Sequence, residues 1–169
     1  MGYGLGWAGA AAFNSPESSN RALAVMGDGG FWHNGLTSGV GNAVFNRSDN
    51  VLLVVDNGYS AATGGQDVLS STAPNPIRST DHPIEKAVRG VGVEWVRFVS
   101  RTYDVNAMRD AISEAMTTEY DGPKVIIAQS ECMLNRQRRE KPKVAAAIKG
   151  GDRVVKERAT RDGRSMNSV

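Results

Sequence analysis

Short apolar runs along the first part of the chain predict four buried strands. The runs span residues 22–26, 51–55, 93–99 and 122–129, and they are rich in Val, Ile, Leu and Ala. Nearly continuous apolar runs are typical of strands that are buried on both faces of a parallel sheet. Helix-like segments separate the runs. This order of elements predicts an α/β fold, a mainly parallel sheet with helices on both faces.

The segments between these strands predict helices. The opening MGYGLGWAGAAAF indicates one helix, and GLTSGVGNAVFN indicates a second despite its glycines. Two further helices are expected to end near residues 89 and 119. The candidate N-terminal residues are Asn34 or Thr37 for the second helix, Asp81 with Pro83 in the first turn for the third, and Asp104 or Asn106 for the fourth.

Residues 58–80 show no clear periodicity and contain many turn-forming residues. A loop of this length inside a compact domain is more often functional than idle. We therefore expect this segment to contribute to a binding site.

The composition is that of one globular domain. Of the 169 residues, 40% are hydrophobic and 22% are charged, which excludes a disordered or fibrous chain. No apolar run reaches the roughly 18 residues that a membrane span requires, and no secretory signal precedes the first helix. The single cysteine, Cys132, cannot form an internal disulfide, which suggests the cytoplasm. It cannot hold an iron–sulfur cluster alone either, because such clusters need about four thiolates.

Charge is distributed unevenly along the chain. Residues 1–135 carry a net charge of −5, whereas residues 136–169 carry +7. We therefore expect a folded domain over residues 1–145 and a basic tail over residues 146–169, disordered or not native to the domain. The tail contains no aromatic residue for base stacking, which argues against a nucleic-acid partner.

Polar residues follow the first two predicted strands. The first strand leads into Gly27-Asp28-Gly29-Gly30, and the second leads into Asp56-Asn57-Gly58-Tyr59. If the two strands are neighbours, Asp28 and Asn57 converge at the carboxyl edge of the sheet, where ligands bind in such folds. Carboxylate, amide and carbonyl oxygens suit Mg²⁺ or Ca²⁺ together with phosphate. The glycines alone indicate no more than two tight turns.

The spacing of these residues carries a family resemblance. GDG at 27–29 is followed after 26 residues by Asp56-Asn57, which resembles the GDG…NN motif of thiamine-diphosphate enzymes with Asp replacing the first Asn. GDGGFWHNGLTSGVGNAVFN, EKAVRGVGVEWVRFV and SECML resemble the large subunit of indolepyruvate:ferredoxin oxidoreductases. DNGYSAATGGQ resembles a loop of 2-oxoacid:ferredoxin oxidoreductases more broadly. The opening MGYGLGWAGAA resembles the Met-Gly helix start that precedes GDG in many thiamine-diphosphate enzymes. The likeness covers about residues 1–145.

The resemblance implies a fold and a set of site residues. It implies the diphosphate-binding domain of the thiamine-diphosphate fold, lacking its first strand. Asp28, the Asn57 side chain and the Tyr59 carbonyl would bind Mg²⁺, which holds the diphosphate. The remaining implied cofactor contacts are Gly27, Gly29, Gly30, Thr63, Gln66 and Met1.

Other residues are open to two interpretations. His33 can steer a proton or a substrate carboxylate, or it can be structural. Phe31 and Trp32 can line an aromatic substrate's pocket, or they can pack in the core. Cys132 is expected to be a buried structural thiol.

The resemblance also implies a reaction and its partners. It implies oxidative decarboxylation of a 2-oxo acid to an acyl-CoA, with electrons passing through iron–sulfur clusters to ferredoxin. Indolepyruvate or another aryl pyruvate is the first expectation, and pyruvate or 2-oxoglutarate the second. The clusters and a pyrimidine-binding domain would lie on missing parts or partner chains. We therefore expect an oligomer, and a fragment or split subunit that is inactive alone.

Two alternatives remain open from the sequence. One is a non-oxidative thiamine-diphosphate decarboxylase or synthase, in which the TGGQ segment is not expected. The other is a non-catalytic α/β module that binds partners through its basic tail. Magnesium-dependent binding of thiamine diphosphate that requires Asp28 would separate the enzyme from the module.

Overall fold

A four-stranded parallel sheet forms the centre of the protein in the computed structural model, which describes residues 4–14 and 20–151. The strands are β1 (Leu23–Gly27), β2 (Val51–Asp56), β3 (Trp95–Val99) and β4 (Lys124–Gln129), in the order β1-β2-β4-β3. All three pairings are parallel, and Gly27 of β1 lies opposite Val55 of β2. The strands and the parallel sheet that the apolar runs predicted are confirmed.

Helices cover both faces of the sheet. They are α1 (Leu5–Ala10), α2 (Asp28–Gly30), a π-helix (Phe31–Gly41), α3 (Asn42–Phe45), α4 (Ile84–Gly90) and α5 (Val105–Thr117). A short 3₁₀ turn, Ala11–Phe13, follows α1. The three consecutive helical pieces over residues 28–45 are called the central helix below.

Two apolar clusters form the core, one on each face. On one face, Leu52, Val54 and Ile127 pack with residues of α1, the central helix and α4. On the other face, Leu53 and Ile126 pack with α5. This division follows from the period of two along a strand. The strand β1 lies at an edge of the sheet, and its Leu23 and Val25 are exposed.

The expected start of the second helix was wrong. We expected it to begin near residue 35 after a cap at Asn34 or Thr37, but the central helix begins at Asp28, directly after β1. The residues from Phe31 to Gly41 form a π-helix, with i→i+5 hydrogen bonds instead of the α pattern. Neither expected cap acts as one, since Asn34 and Thr37 both lie inside the π-helix and not at the start of a helix.

The third and fourth helices begin close to their expected positions. Pro83 is the N-cap of α4, one residue before the first turn, and not a member of that turn. Asp104 caps α5, because its side chain accepts a hydrogen bond from the N–H of Ala107. Residues 58–80 contain neither helix nor strand, and a single antiparallel bridge joins Ser60 to Gln66.

Residues 132–169 form a second unit, separate from residues 1–131. Its described part contains α6 (Met133–Lys149), which the sequence did not predict and which contains Pro142. No helix in the described ranges has the length and apolar character needed to cross a bilayer. Met1 and residues 152–169 lie outside the described residues.

Candidate functional site

A cleft of about 860 Å³ opens beside β1 and β2 at their carboxyl ends. Its walls come from α1, the turn after β1, the start of the central helix and the segment 57–68. In open parallel sheets this edge is where ligands bind, because the loops after neighbouring strands diverge there and leave a crevice.

Asp28 and Asn57 meet at one point of the cleft. Asp28 is only 2% exposed, and its Oδ2 accepts a hydrogen bond from the backbone N–H of Tyr59 at 3.1 Å. The side-chain Oδ1 of Asn57 accepts from the same N–H, also at 3.1 Å. The two side-chain oxygens are therefore separated by at most twice that distance. The structure brings together the acid and the amide that the strand ends suggested.

Two glycines make this close arrangement possible. A Cβ on Gly29 would lie 2.6 Å from Oγ and 3.1 Å from Cβ of Ser60, so a side chain at this position would require Ser60 to shift. Gly58 has a φ of 66°, in the left-handed region that favours glycine. This conformation turns the chain directly after Asn57 so that the N–H of Tyr59 points back at Asp28.

The N-terminus of the central helix faces the cleft. Gly27, Asp28, Gly29 and Gly30 all line it, and Gly27 is the N-cap residue with extended backbone. The first N–H groups of a helix have no intrahelical acceptors and carry partial positive charge, which favours an anion. The Asp28 side chain satisfies one of them, since its Oδ1 accepts from the N–H of Gly29 at 2.7 Å.

Few formal charges line the cleft. Among the described residues its charged or titratable lining is Asp28, His33, Tyr59 and Asp67, without any Lys or Arg. An anionic ligand therefore finds no permanent side-chain cation here. It would depend on the helix N-terminus and on a bound metal ion.

A second buried carboxylate lies directly after Val55. Asp56 is 4% exposed, and burial raises its pKa above the usual range. Hydrogen bonds from Ser70, Gln129 and Gly58 act in the opposite direction, while the nearby charge of Asp28 raises the pKa further. Asp56 is thus held by polar contacts at the base of the cleft loop and does not line the cleft itself.

The loop residues predicted from the sequence also line the cleft. Thr63 and Gln66 lie in a closed turn in which the N–H of Ser60 donates to the carbonyl of Gln66 at 2.9 Å. The Gln66 side chain donates to the carbonyl of Thr63 at 3.0 Å, and the hydroxyls of Ser60 and Thr63 lie 2.8 Å apart. His33 is exposed and lines the cleft, whereas Met1 lies outside the described residues.

Phe31 and Trp32 have different surroundings in the structure. Phe31 is fully buried in the core, and its ring meets the ring of Trp32 edge to face at 4.9 Å. Trp32 is half-buried and lines the cleft. Because successive residues of a helix point in different directions, one of the pair faces the sheet and the other faces the ligand space.

Trp7 and Asp67 are among the lining residues that sequence reasoning did not single out. Trp7 of α1 is 1% exposed, and its indole N–H has no acceptor among the described residues. Asp67 accepts a hydrogen bond from the Asn75 side chain at 2.7 Å. Asp67 directly follows the TGGQ segment, so the sequence could have indicated it as a residue of the binding loop. Nothing in the sequence distinguishes Trp7 from a core residue.

The part of the chain that the structure describes contains no metal cluster of the thiolate or imidazole type. In the described parts of the chain, no three His, Cys, Asp or Glu side chains are grouped so that they could hold an ion. A metal at Asp28 would therefore need amide and carbonyl oxygens to complete its shell. These are the donors that Asn57 and the Tyr59 backbone offer.

Comparison with solved structures places the fold among thiamine-diphosphate enzymes. The 2-oxoglutarate:ferredoxin oxidoreductase of Magnetococcus marinus matches with a TM-score of 0.59 and 18% identity, over 78% of this chain and 46% of that one. The thiamine diphosphate-dependent 4-hydroxybenzoylformate decarboxylase of Rhodococcus jostii RHA1 matches with a TM-score of 0.51 and 20% identity. That match covers 78% of this chain and 23% of the decarboxylase. At these identities the likeness shows the fold alone.

The sequence identifies the family. The chain belongs to the family described as thiamine pyrophosphate enzyme, C-terminal TPP binding domain, whose model matches residues 1–128. Thiamine pyrophosphate is another name for thiamine diphosphate. The expected family and fold are therefore confirmed.

Curated relatives carry the name indolepyruvate oxidoreductase subunit IorA. The chain is 34% identical to that of Archaeoglobus fulgidus over 134 residues, which is 75% of this chain and 20% of the relative. It is 34% identical to that of Thermococcus kodakarensis over 119 residues, or 66% of this chain and 17% of the relative. The chain thus spans about a fifth of the length of the relatives it matches.

Proposed function

We propose that the cleft binds thiamine diphosphate through a Mg²⁺ ion. The observation that carries this proposal is the convergence of Asp28 and Asn57 on the N–H of Tyr59. One carboxylate and one amide oxygen in a small space suit a hard cation, and Mg²⁺ commonly binds through one or two carboxylates plus substrate phosphates. The family assignment to thiamine-diphosphate-binding domains supports the choice of ligand.

The third protein donor to the metal is the backbone carbonyl of Tyr59. This carbonyl accepts a hydrogen bond from the N–H of Ala61 at 2.9 Å. A carbonyl oxygen has two lone pairs, so it can accept a hydrogen bond and bind a cation at the same time. Asp28, Asn57 and Tyr59 are then the metal ligands, and the diphosphate oxygens complete the shell.

The diphosphate would lie against the N-terminus of the central helix. The backbone groups of Gly27, Gly29 and Gly30 are free of side chains and line the cleft, and Thr63 and Gln66 offer polar groups from the loop. Because no Lys or Arg lines the described cleft, the metal supplies most of the charge neutralisation. Binding of the cofactor should therefore depend strictly on a divalent cation.

When bound, thiamine diphosphate supplies the ring that accepts the electron pair released as a 2-oxo acid loses CO₂. The chain's own residues hold and orient this group. His33 is exposed at the cleft, where it can steer a proton or the substrate carboxylate, and Met1 would support the cofactor's shape.

For the whole protein we propose a 2-oxoacid:ferredoxin oxidoreductase that acts on an aryl 2-oxo acid such as indolepyruvate. The names of the curated relatives and the fold neighbour support this choice. Such an enzyme needs a pyrimidine-binding domain, iron–sulfur clusters, ferredoxin and coenzyme A, with an acyl-CoA as product. The pyrimidine-binding domain and the clusters would be supplied by other parts of the protein or by partner chains, since the chain spans about a fifth of the relatives' length.

Calorimetric titration with thiamine diphosphate tests the metal site. The wild-type chain, alone and in its complete complex, should bind the cofactor with Mg²⁺ and lose binding with EDTA. Removing partners outside the first shell of a metal typically costs about 10–100-fold in metal affinity, so Asp28→Ala should cost at least that much. Asn57→Ala should weaken binding less, because it removes a neutral donor.

Asp110→Ala is the matched control, because Asp110 is an exposed carboxylate on α5 that does not line the cleft. It should bind like the wild type. Equal affinity in Asp28→Ala and Asp110→Ala, or equal affinity with EDTA, would contradict the metal site. Absence of binding even in the complete complex would instead favour a non-catalytic module.

A further inference from the structure

Asp56 organises the region where the cleft loop leaves the sheet. Its buried carboxylate accepts two side-chain hydrogen bonds, from the hydroxyl of Ser70 at 3.1 Å and from the amide of Gln129 at 3.2 Å. Gln129 is the last residue of β4, and Ser70 is 14 residues further along the chain from Asp56. One side chain thus joins the ends of two strands to the far end of the loop.

Ser70 extends this connection to the central helix. It is buried, and its Oγ accepts a hydrogen bond from the indole N–H of Trp32 at 3.0 Å while donating to Asp56. The hydroxyl therefore uses both its donor and an acceptor site. The result is a continuous chain of hydrogen bonds from Gln129 through Asp56 and Ser70 to Trp32.

Ser71 closes the same loop by a second route. Its buried hydroxyl donates to the carbonyl of Gly58 at 2.6 Å and accepts from the N–H of Val68 at 2.8 Å. The carbonyl of Ser71 also accepts from the N–H of Asp81 at 2.9 Å. The two ends of the loop are thereby fixed to each other next to β2. Every loop residue that lines the cleft falls within positions 57–68, inside this closure.

We propose that Asp56, Ser70 and Ser71 form a loop clamp that holds residues 57–68 in their binding shape before any ligand arrives. Asp56 is then a positioning residue, which acts through Ser70 and Trp32 and does not touch the ligand. Ordering a loop upon binding reduces affinity, so a loop that is already ordered binds more tightly. The inference rests on the proposed function only for the identity of the ligand, thiamine diphosphate.

The clamp also explains an acidic residue at position 56. A carboxylate accepts hydrogen bonds on both oxygens, and here each oxygen has its own donor. An asparagine at this position would offer one acceptor oxygen and would place an NH₂ group against one of the two donors. The exchange of Asp for Asn therefore removes the charge and requires one of the two donors to reorient, with little change in volume.

Hydrogen exchange of the ligand-free chain tests the clamp without activity. The N–H groups of Ser60, Gly65 and Gln66 bond within the loop and should be protected in the wild type. Ser70→Ala should speed their exchange about tenfold or more, because it leaves buried donor and acceptor groups unpaired. The amides of α5 should be unaffected. Ser70→Thr keeps the hydroxyl and should restore most of the protection.

Cofactor affinity gives the second readout. In the complete complex, Ser70→Ala should raise the Kd of thiamine diphosphate with Mg²⁺ about tenfold, whereas kcat at saturating cofactor should stay within about twofold. Thr72→Ala is the matched control, since it removes an exposed hydroxyl next to the clamp and should match the wild type. Asp56→Asn provides an independent variant if Ser70→Ala does not fold, and it should show the same two effects more weakly.

The outcomes separate the two proposals. Unchanged exchange at residues 60, 65 and 66 in Ser70→Ala or Asp56→Asn would overturn the clamp, as would affinities equal to that of Thr72→Ala. A wild type with a protected loop that binds no thiamine diphosphate in the complete complex would overturn the proposed function and leave the clamp standing.

Discussion

At the scale of single residues, Lys124 stands out as a fully buried lysine at the first position of β4. Its side chain is 0% exposed, and its ammonium group pairs with Asp49 and donates to the carbonyl of Gly122 at 2.8 Å. The ring of Tyr120 lies 5.4 Å from Nζ. Asp49 also pairs with Arg21 at 2.9 Å. One carboxylate therefore serves two cations at the amino edge of the sheet.

Burial and pairing compete in the pKa values of this group. Burial lowers the pKa of Lys124, while its hydrogen bond to Asp49 raises it in part. For Asp49, burial raises the pKa, but the hydrogen bonds and charges of Lys124 and Arg21 outweigh it and leave the pKa below 3.8. The pairing therefore favours the ionised form of Asp49, whereas burial disfavours the charged form of Lys124.

Replacement of Asp49 should be costly to stability. Asp49→Ala leaves Lys124 buried without its counter-ion, a change that typically costs about 3–5 kcal/mol of unfolding free energy. The exposed pair of Arg97 and Glu114 is the matched control, and Glu114→Ala should cost less than about 1 kcal/mol. Urea unfolding of the two variants measures both. Equal losses would contradict the importance of burial.

The pH dependence of the same unfolding has a defined sign. Folding lowers the pKa of Asp49 below its ordinary value of 3.8. The carboxylate's contribution to the free energy of unfolding is therefore present above pH 3.8, and it is lost as the pH falls through the folded-state pKa. The wild type should lose stability in that acidic window. The Asp49→Ala variant should lack this part of the dependence of the unfolding free energy on pH.

At the scale of elements, the packing of α1 on the central helix depends on glycine. A Cβ on Gly4 would lie 2.8 Å from the N of Gly39 and 2.9 Å from the carbonyl carbon of Ser38. These are backbone atoms, which cannot turn away as a flexible side chain can. The two helices therefore approach more closely than any other residue at position 4 permits.

Gly4→Ala should destabilise the fold by about 1–3 kcal/mol, the usual cost of overpacking. Gly9→Ala is the matched control, because its Cβ would meet nothing within 4 Å and alanine favours a helix by about 0.5–1 kcal/mol. Thermal or urea unfolding should move the two variants in opposite directions. A neutral Gly4→Ala would show that the helices can separate at little cost.

The central helix shows where local patterns were insufficient. The candidate caps Asn34 and Thr37 placed its predicted start near residue 35, yet it begins at Asp28 and continues through Gly35, Gly39 and Gly41 as a π-helix. Glycine weakens a helix locally, but close packing compensates here: a Cβ on Gly35 would lie 2.3 Å from the sulfur of Met26. Tertiary contacts overrode local propensity.

At the scale of the whole molecule, the sheet, both core clusters and the cleft lie within residues 1–131. In the described part of the second unit, Cys132 is buried, but the helix α6 that follows it has no buried residue. The structural basis for folding and for cofactor binding should therefore be contained in the first unit.

A chain truncated after Glu131 should consequently fold. Its circular dichroism should show the α/β fold, its urea unfolding should stay cooperative, and its affinity for thiamine diphosphate with Mg²⁺ should match that of the full chain within about threefold. The full-length chain is the control. A truncated chain that is unfolded would assign residues 132–169 a part in the core.

The sequence by itself determined the alternating strands and helices, the parallel sheet and the residues at the two strand ends. These depend on apolar runs and on motif spacing, which are local and can be read along the chain. Only the tertiary structure decided which strands are neighbours, that Asp28 and Asn57 share one N–H, and that Asp56 and Ser70 close the loop. Such contacts join residues that are distant along the chain, and their geometry depends on packing, which no local pattern records.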